Sequence, residues 1–92
     1  MRTSEEILVS RVVYRKILKM VEHYKKQDEQ DRLENPERLP TSWGSSLTFS
    51  LERILRENKV RNSKDLVPRI LNNLVKTKHL IMVYGDYGFS ED

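Results

Sequence analysis

The segment 63–89 constrains the fold of this 92-residue chain more than any other. Its first part, SKDLVPRILNNLVKTK, repeats apolar residues at the i, i+4, i+8 spacing of an amphipathic helix. Its second part, HLIMVYGDYGF, is rich in β-branched and aromatic residues, and Gly85-Asp86 is a two-residue turn with glycine first. The segment therefore predicts a helix over 63–78 that leads directly into a β-hairpin over 80–89.

Pro68 is the one residue that conflicts with a regular helix in this segment, because proline lacks a backbone N–H and clashes with the preceding turn. Two outcomes are open. Either the helix bends at Pro68, or residues 63–67 form a separate turn and the longer helix begins near Pro68. We expect Ser63 to cap the first turn, in which Asp65 suits the helix dipole.

The N-terminal third predicts a long amphipathic helix over 3–27. Thr3 and Glu6 match a capping box, and neither glycine nor proline interrupts the residues that follow. This helix is longer than one small core requires, so its surplus apolar stripe either meets a second copy of the chain or wraps the far side of the domain. The candidates for a homodimer interface are Ile7, Tyr14, Ile17, Val21 and Tyr24.

An acidic loop with two prolines over 28–44 and a second helix over 45–58 complete the order of elements. Ser45 or Ser46 can cap the second helix, whose leucine and isoleucine residues define one buried face. Trp43, the only tryptophan, stands at the end of the loop. We favour a role for its ring in filling a gap beneath the loop; the alternative is an anchor for a partner protein.

Composition excludes several classes of function. The chain has no cysteine, which excludes disulfides and thiolate chemistry, and it has only two histidines, on separate predicted elements. No hydrolase motif or phosphate-binding loop occurs, so we expect no enzymatic activity, no metal and no cofactor. No apolar run approaches the roughly 20 residues of a membrane span and no signal peptide is visible, so we expect one soluble domain over 1–92, located in the cytoplasm or nucleus.

Charge is distributed unevenly along the chain, whose net charge is +3. Residues 59–79 contain six cationic side chains against a single acid, Asp65, whereas residues 28–38 contain five acids against two bases. A basic stretch of this kind favours a polyanionic partner.

The order helix, loop, helix, helix, strand, strand resembles the winged helix-turn-helix superfamily. The resemblance is carried by residues 65–76 and by residues 79–81, which lead to the turn at 85–86. It implies a mainly α fold, a winged-helix-like domain of three helices with a long first helix and a small C-terminal β-hairpin. Such domains often have a short first strand between the first two helices, and here the predicted loop stands in its place.

The resemblance implies that the third helix enters the major groove of double-stranded DNA and that the hairpin contacts the neighbouring backbone, as in a transcriptional regulator. Asparagine and arginine can read adenine and guanine edges, and lysine can contact phosphate. The candidate nucleic-acid-binding residues are Lys59, Arg61, Lys64, Arg69, Asn72, Asn73, Lys76, Lys78 and Tyr87.

Two other interpretations of the same residues are open. The polar side of the third helix would also be explained as an ordinary solvated face. The chain would alternatively be a winged-helix-like protein-interaction module that binds no nucleic acid, with Trp43 among the residues that bind the partner protein.

Overall fold

The computed structural model describes residues 9–37 and 41–90, which form three helices and one two-stranded antiparallel sheet. The elements are α1 (Arg11–Glu34), α2 (Gly44–Glu57), α3 (Ser63–Lys76), β1 (Ile81–Val83) and β2 (Asp86–Gly88). The predicted fold class, mainly α with a small C-terminal β-hairpin, is confirmed.

The helix α1 begins at Arg11, because residues 9–10 are not helical, and residues 3–8 of the predicted helix lie outside the described residues. Ser10 is its N-cap, with an extended backbone and a hydroxyl that accepts a hydrogen bond from the Val13 amide at 3.3 Å. Ser10 therefore caps the start of α1, whereas the apolar pattern predicts a start further upstream, at residue 3. The capping box over 3–6 lies outside the described residues.

The end of α1 also differs from its prediction, since the helix continues through residues 28–34 to Glu34. These residues contain neither glycine nor proline, and their polarity is compatible with a helix because they lie largely on its solvent side. The helix stops at Asn35, whose backbone is not helical (φ −144°, ψ 74°) and which precedes Pro36. Proline disfavours the helical conformation in the residue before it, so the Asn35-Pro36 step ends the helix.

The apolar stripe of α1 forms part of the core. Ile17 and Val21 are buried, and Tyr14 and Tyr24 are half-buried against the same cluster. Ile17 and Val21 therefore leave almost no surface for a dimer interface, whereas Tyr14 and Tyr24 stay partly accessible. The homodimer stays a prediction, and Ile7 lies outside the described residues. The other buried members of the core are Val9, Val13, Leu47, Leu51, Leu55, Val67, Ile70, Leu71, Leu74, Leu80 and Phe89.

The third helix is continuous from Ser63 to Lys76, with Pro68 inside it. A separate turn before the proline therefore does not occur. The carbonyl that Pro68 leaves without a helical partner belongs to Lys64, an exposed residue, so water can satisfy it. The N-cap is Asn62 in the left-handed conformation (φ 58°, ψ 39°), which corrects the prediction that Ser63 caps the helix.

The hairpin turns one residue earlier than predicted. Val83 pairs with Asp86, so the two turn residues are Tyr84 and Gly85. Both have positive φ, 52° and 78°, the pattern of a type I′ turn, whereas the glycine-first turn at Gly85-Asp86 would need positive φ at its first residue alone. The shift moves Asp86 out of the turn and makes it the first residue of β2, where its side chain reaches α2.

Candidate nucleic-acid interface

The outer face of α3 carries the side chains predicted to read bases. Arg69, Asn72 and Lys76 recur every three or four residues, so they share one side of the helix, and all three are exposed. Asn73 is half-buried at the edge of this side. The opposite side packs into the core through Val67, Ile70, Leu71 and Leu74. The cationic, amide-bearing side of α3 therefore faces outward.

Exposed cations stand at both ends of α3. Lys59, Arg61 and Lys64 lie at its start and Lys78 follows its end. Fourteen helical residues at 1.5 Å each separate the two groups by about 20 Å. The first turn also holds Asp65, an exposed acid. The predicted phosphate contacts thus bracket the predicted base-reading face.

Lys59 and Lys78 have left-handed backbones, with φ of 59° and 68°, and each lies one residue beyond the C-cap of a helix. After α2, the Lys59 amide donates to the Arg56 carbonyl at 3.0 Å, and the Val60 amide donates to the Leu55 carbonyl at 2.9 Å. These two bonds define a Schellman motif, in which the left-handed position is usually glycine.

The end of α3 repeats this arrangement. The Lys78 amide donates to the Val75 carbonyl at 3.0 Å, and the His79 amide donates to the Leu74 carbonyl at 2.9 Å. A left-handed backbone costs a residue with a side chain about 1 kcal/mol or more, a cost that glycine avoids. Two of the predicted phosphate contacts therefore occupy positions at which lysine is unfavourable for the backbone.

Tyr87 joins the hairpin to the outer face of α3. Its hydroxyl donates a hydrogen bond to Oδ1 of Asn72 at 3.3 Å, and its ring is half-buried. A carboxamide oxygen can accept two hydrogen bonds, so this contact leaves Asn72 able to meet a base edge. The hairpin and α3 therefore present one continuous surface.

The end of the loop before α2 lies along β2. The Trp43 amide donates to the Tyr87 carbonyl at 2.8 Å. A Cβ added to Gly88 would meet the Thr41 carbonyl oxygen at 3.2 Å, which shows how closely the two backbones approach. Residues 41–43 thus run beside β2 without forming a strand.

Asp86 caps α2 from the hairpin. Its carboxylate accepts hydrogen bonds from the Ser42 hydroxyl, from the Tyr87 amide at 2.8 Å and from the Gly44 amide. The Ser42 hydrogen bond is the main cause that lowers the pKa of Asp86 below its ordinary value, and the two amides add to it. The carboxylate also lies at the positive end of the helix dipole, so it is ionised at neutral pH.

Asp86 supplies an N-terminal cap that the residues beside α2 in the sequence do not provide. Trp43 stands at the N-cap position and makes no side-chain cap bond, so neither Ser45 nor Ser46 caps the helix as predicted. Gly44 is the first helical residue, and a Cβ on it would lie 1.8 Å from Oδ1 of Asp86. The close approach of the carboxylate therefore requires glycine at this position.

Trp43 fills the space between α1 and the end of the chain. Its ring lies 5.4 Å from that of Tyr24 and 6.4 Å from that of Phe89, and its Nε1 donates to Oδ1 of Asp28 at 2.9 Å. The ring is half-buried. The arrangement favours the gap-filling role over that of a free anchor for a partner.

Arg32 connects α1 to residues 89–90, which follow the hairpin. Its guanidinium donates to the carbonyls of Phe89 at 2.8 Å and Ser90 at 3.1 Å, and Nη2 lies 2.6 Å from Oδ2 of Asp28. Sequence reasoning placed both charged residues in a loop and missed this cluster. Their i, i+4 spacing was the one available signal, because it is the spacing of a helical ion pair.

Comparison with protein-family models, with curated proteins and with solved structures finds no match. The resemblance to winged helix-turn-helix domains therefore stays a prediction. Among the helices within 9–37 and 41–90, none has the length and hydropathy needed to cross a membrane. In the same part of the chain, no three histidine or carboxylate side chains converge as they would at a metal site.

Proposed function

We propose that this chain binds double-stranded DNA, with α3 in the major groove and the hairpin against the adjacent backbone. The observation that carries the proposal is the pair of left-handed lysines, Lys59 and Lys78, at the two ends of an outward-facing cationic helix. Strained backbone positions that keep a functional side chain are typical of binding sites. Phosphate binding supplies a reason for lysine where glycine would fit the backbone better.

Two further contacts support the same surface. The hydrogen bond from Tyr87 to Asn72 places the hairpin beside the base-reading face, as a wing requires. The backbone bond from Trp43 to Tyr87 sets the loop before α2 against β2, at the place where winged-helix domains often have a short first strand. Both features agree with the resemblance that the sequence suggests.

A salt-titrated gel-shift assay with mixed-sequence duplex DNA tests the proposal. Arg69→Ala with Lys76→Ala should abolish binding and leave the circular dichroism spectrum unchanged, because both side chains are exposed. Arg15→Ala with Lys19→Ala removes the same charge from the solvent side of α1 and should retain most of the affinity. Unchanged affinity of the α3 variant at low salt would falsify the proposal.

A second variant in the same assay tests the two lysines that have left-handed backbones. Lys59→Gly with Lys78→Gly should lower the slope of log K against log salt by about 2, roughly one for each lost phosphate contact. The fold should not be destabilised, since glycine relieves the backbone cost. If these lysines serve only the helix dipole, the variant will bind DNA with an unchanged salt slope.

Binding of a protein partner is the second candidate function, and the exposed side chain of Phe49 favours it. Phe49 lies on α2 beside the hairpin and is 66% exposed. Aromatic side chains are enriched at protein interfaces, where they supply large contact areas.

A further inference from the structure

A shallow groove of about 410 Å³ runs between the first half of α2 and the start of β2. Phe49 and Glu52 line it from α2, and Asp86 and Tyr87 line it from the hairpin. Tyr87 lines the groove and also bonds to Asn72, whereas no residue of α3 lines it, so the groove is separate from the outer face of α3.

The two aromatic residues give the groove an apolar lining. Phe49 is 66% exposed, so no element among the described residues covers its side chain. Tyr87 is half-buried and lines the groove, and its hydroxyl bonds to Asn72 on α3. The lining thus offers aromatic surface to an occupant.

The charge of the groove is opposite to that of the whole chain. Two carboxylates, Glu52 and Asp86, line it and no lysine or arginine does, although the chain has 17 basic residues against 14 acidic ones. Asp86 is held in its ionised form by the Ser42 hydroxyl and two backbone amides. The groove therefore repels phosphate and attracts a cation.

We propose that this groove binds an arginine-bearing apolar segment of a partner protein. The guanidinium group would stack on the ring of Phe49 or Tyr87 and pair with Glu52, with Asp86 as a fixed second negative charge. Arginine suits the site better than lysine because its planar, weakly hydrated head group both stacks on aromatic rings and pairs with carboxylates. The inference rests on the second candidate function and is independent of DNA binding.

A titration followed by nuclear magnetic resonance tests the groove. The probe is the peptide acetyl-Leu-Arg-Leu-Gly-amide, compared with the same peptide carrying lysine or the neutral isostere citrulline. The arginine peptide should shift the amide resonances of Phe49, Glu52 and Tyr87. Binding should be several-fold weaker for the lysine peptide and undetectable for the citrulline peptide. No shift at millimolar arginine peptide, or equal shifts with citrulline, would overturn the inference.

Matched variants show which side chains contribute to binding of the arginine peptide. Phe49→Ala and Glu52→Gln should each weaken binding of the arginine peptide by roughly tenfold, the effect of about 1.4 kcal/mol. Tyr84→Ala and Glu57→Gln change an exposed aromatic ring and an exposed acid that lie outside the groove, and should leave binding unchanged. Equal losses in the groove variants and these controls would also overturn the inference.

The test separates this inference from the proposed DNA binding. Arg69→Ala with Lys76→Ala should keep full affinity for the arginine peptide, because neither side chain lines the groove. Phe49→Ala should keep its affinity for duplex DNA. A loss of peptide binding in the α3 variant would move the peptide site to α3 and overturn the groove assignment.

Discussion

Two aspartates tie the C-terminal part of the chain to the helices, and their surroundings are opposite. Asp28 on α1 is 1% exposed, and its partners are the Trp43 indole and the Arg32 guanidinium. Asp86 on β2 is half-exposed, and its partners are a hydroxyl and two backbone amides. The buried carboxylate is matched by a full positive charge, whereas the exposed one is matched by dipoles alone.

The difference shows how burial sets the partner that a carboxylate needs. Removing Asp28 from water carries a desolvation cost that only a charge and several hydrogen bonds can offset. Water continues to solvate Asp86, so neutral donors at a helix N-terminus suffice. Breaking the buried arrangement should therefore cost several times more than breaking the exposed one.

Arg32→Ala should have the largest effect. It leaves Asp28 buried without its cation and removes the bonds to the carbonyls of Phe89 and Ser90. We expect the free energy of unfolding in urea to fall by about 3 kcal/mol. Arg53→Ala is the control, since its pair with Glu57 is exposed and 4.0 Å long, and it should cost less than about 0.5 kcal/mol. Similar costs for the two variants would refute the comparison.

Gly44→Ala should have an intermediate effect, because the new Cβ would displace the Asp86 carboxylate. We expect a loss of about 1–2 kcal/mol from the disrupted cap and local overpacking. Alanine otherwise favours a helix, so in an Asp86→Ala background the same substitution should be neutral or stabilising. A double-mutant cycle by thermal unfolding measures this coupling, and additive effects of the two substitutions would contradict the cap.

Asp86→Asn should have the smallest effect, about 0.5–1 kcal/mol at neutral pH, since asparagine can still accept a hydrogen bond. The folded state lowers the pKa of Asp86, so its contribution is complete above the unfolded value near 4 and is lost as the pH falls through the folded value. The stability difference between wild type and variant should be constant above about pH 5 and shrink in acid. A difference that does not change between pH 7 and pH 3 would exclude this origin.

Sequence reasoning succeeds where periodicity and local chemistry decide the structure. The alternation of apolar and polar residues in α3 predicts which side chains face outward, and Arg69, Asn72 and Lys76 are exposed accordingly. The β-branched run and the glycine-containing turn predict the hairpin. These features depend on residues a few positions apart in the chain, so local sequence patterns are sufficient to predict them.

Sequence reasoning fails where a distant partner decides. The acidic run after residue 27 is typical of a loop, but Asp28 is buried on α1, where it accepts a hydrogen bond from the Trp43 indole. The cap of α2 comes from Asp86, which lies 42 residues after Gly44 and which the sequence pattern places in a turn. Neither contact leaves a local pattern, because each depends on the packing of separate elements.

The fluorescence of Trp43 reports on the packing of the C-terminal segment. This single tryptophan, at the start of α2, contacts α1 through Tyr24 and Asp28 and the segment after β2 through Phe89. Release of the chain end would hydrate the indole and shift its fluorescence to the red. One emission spectrum, recorded without any label, therefore reports whether the C-terminal segment is seated on the helices.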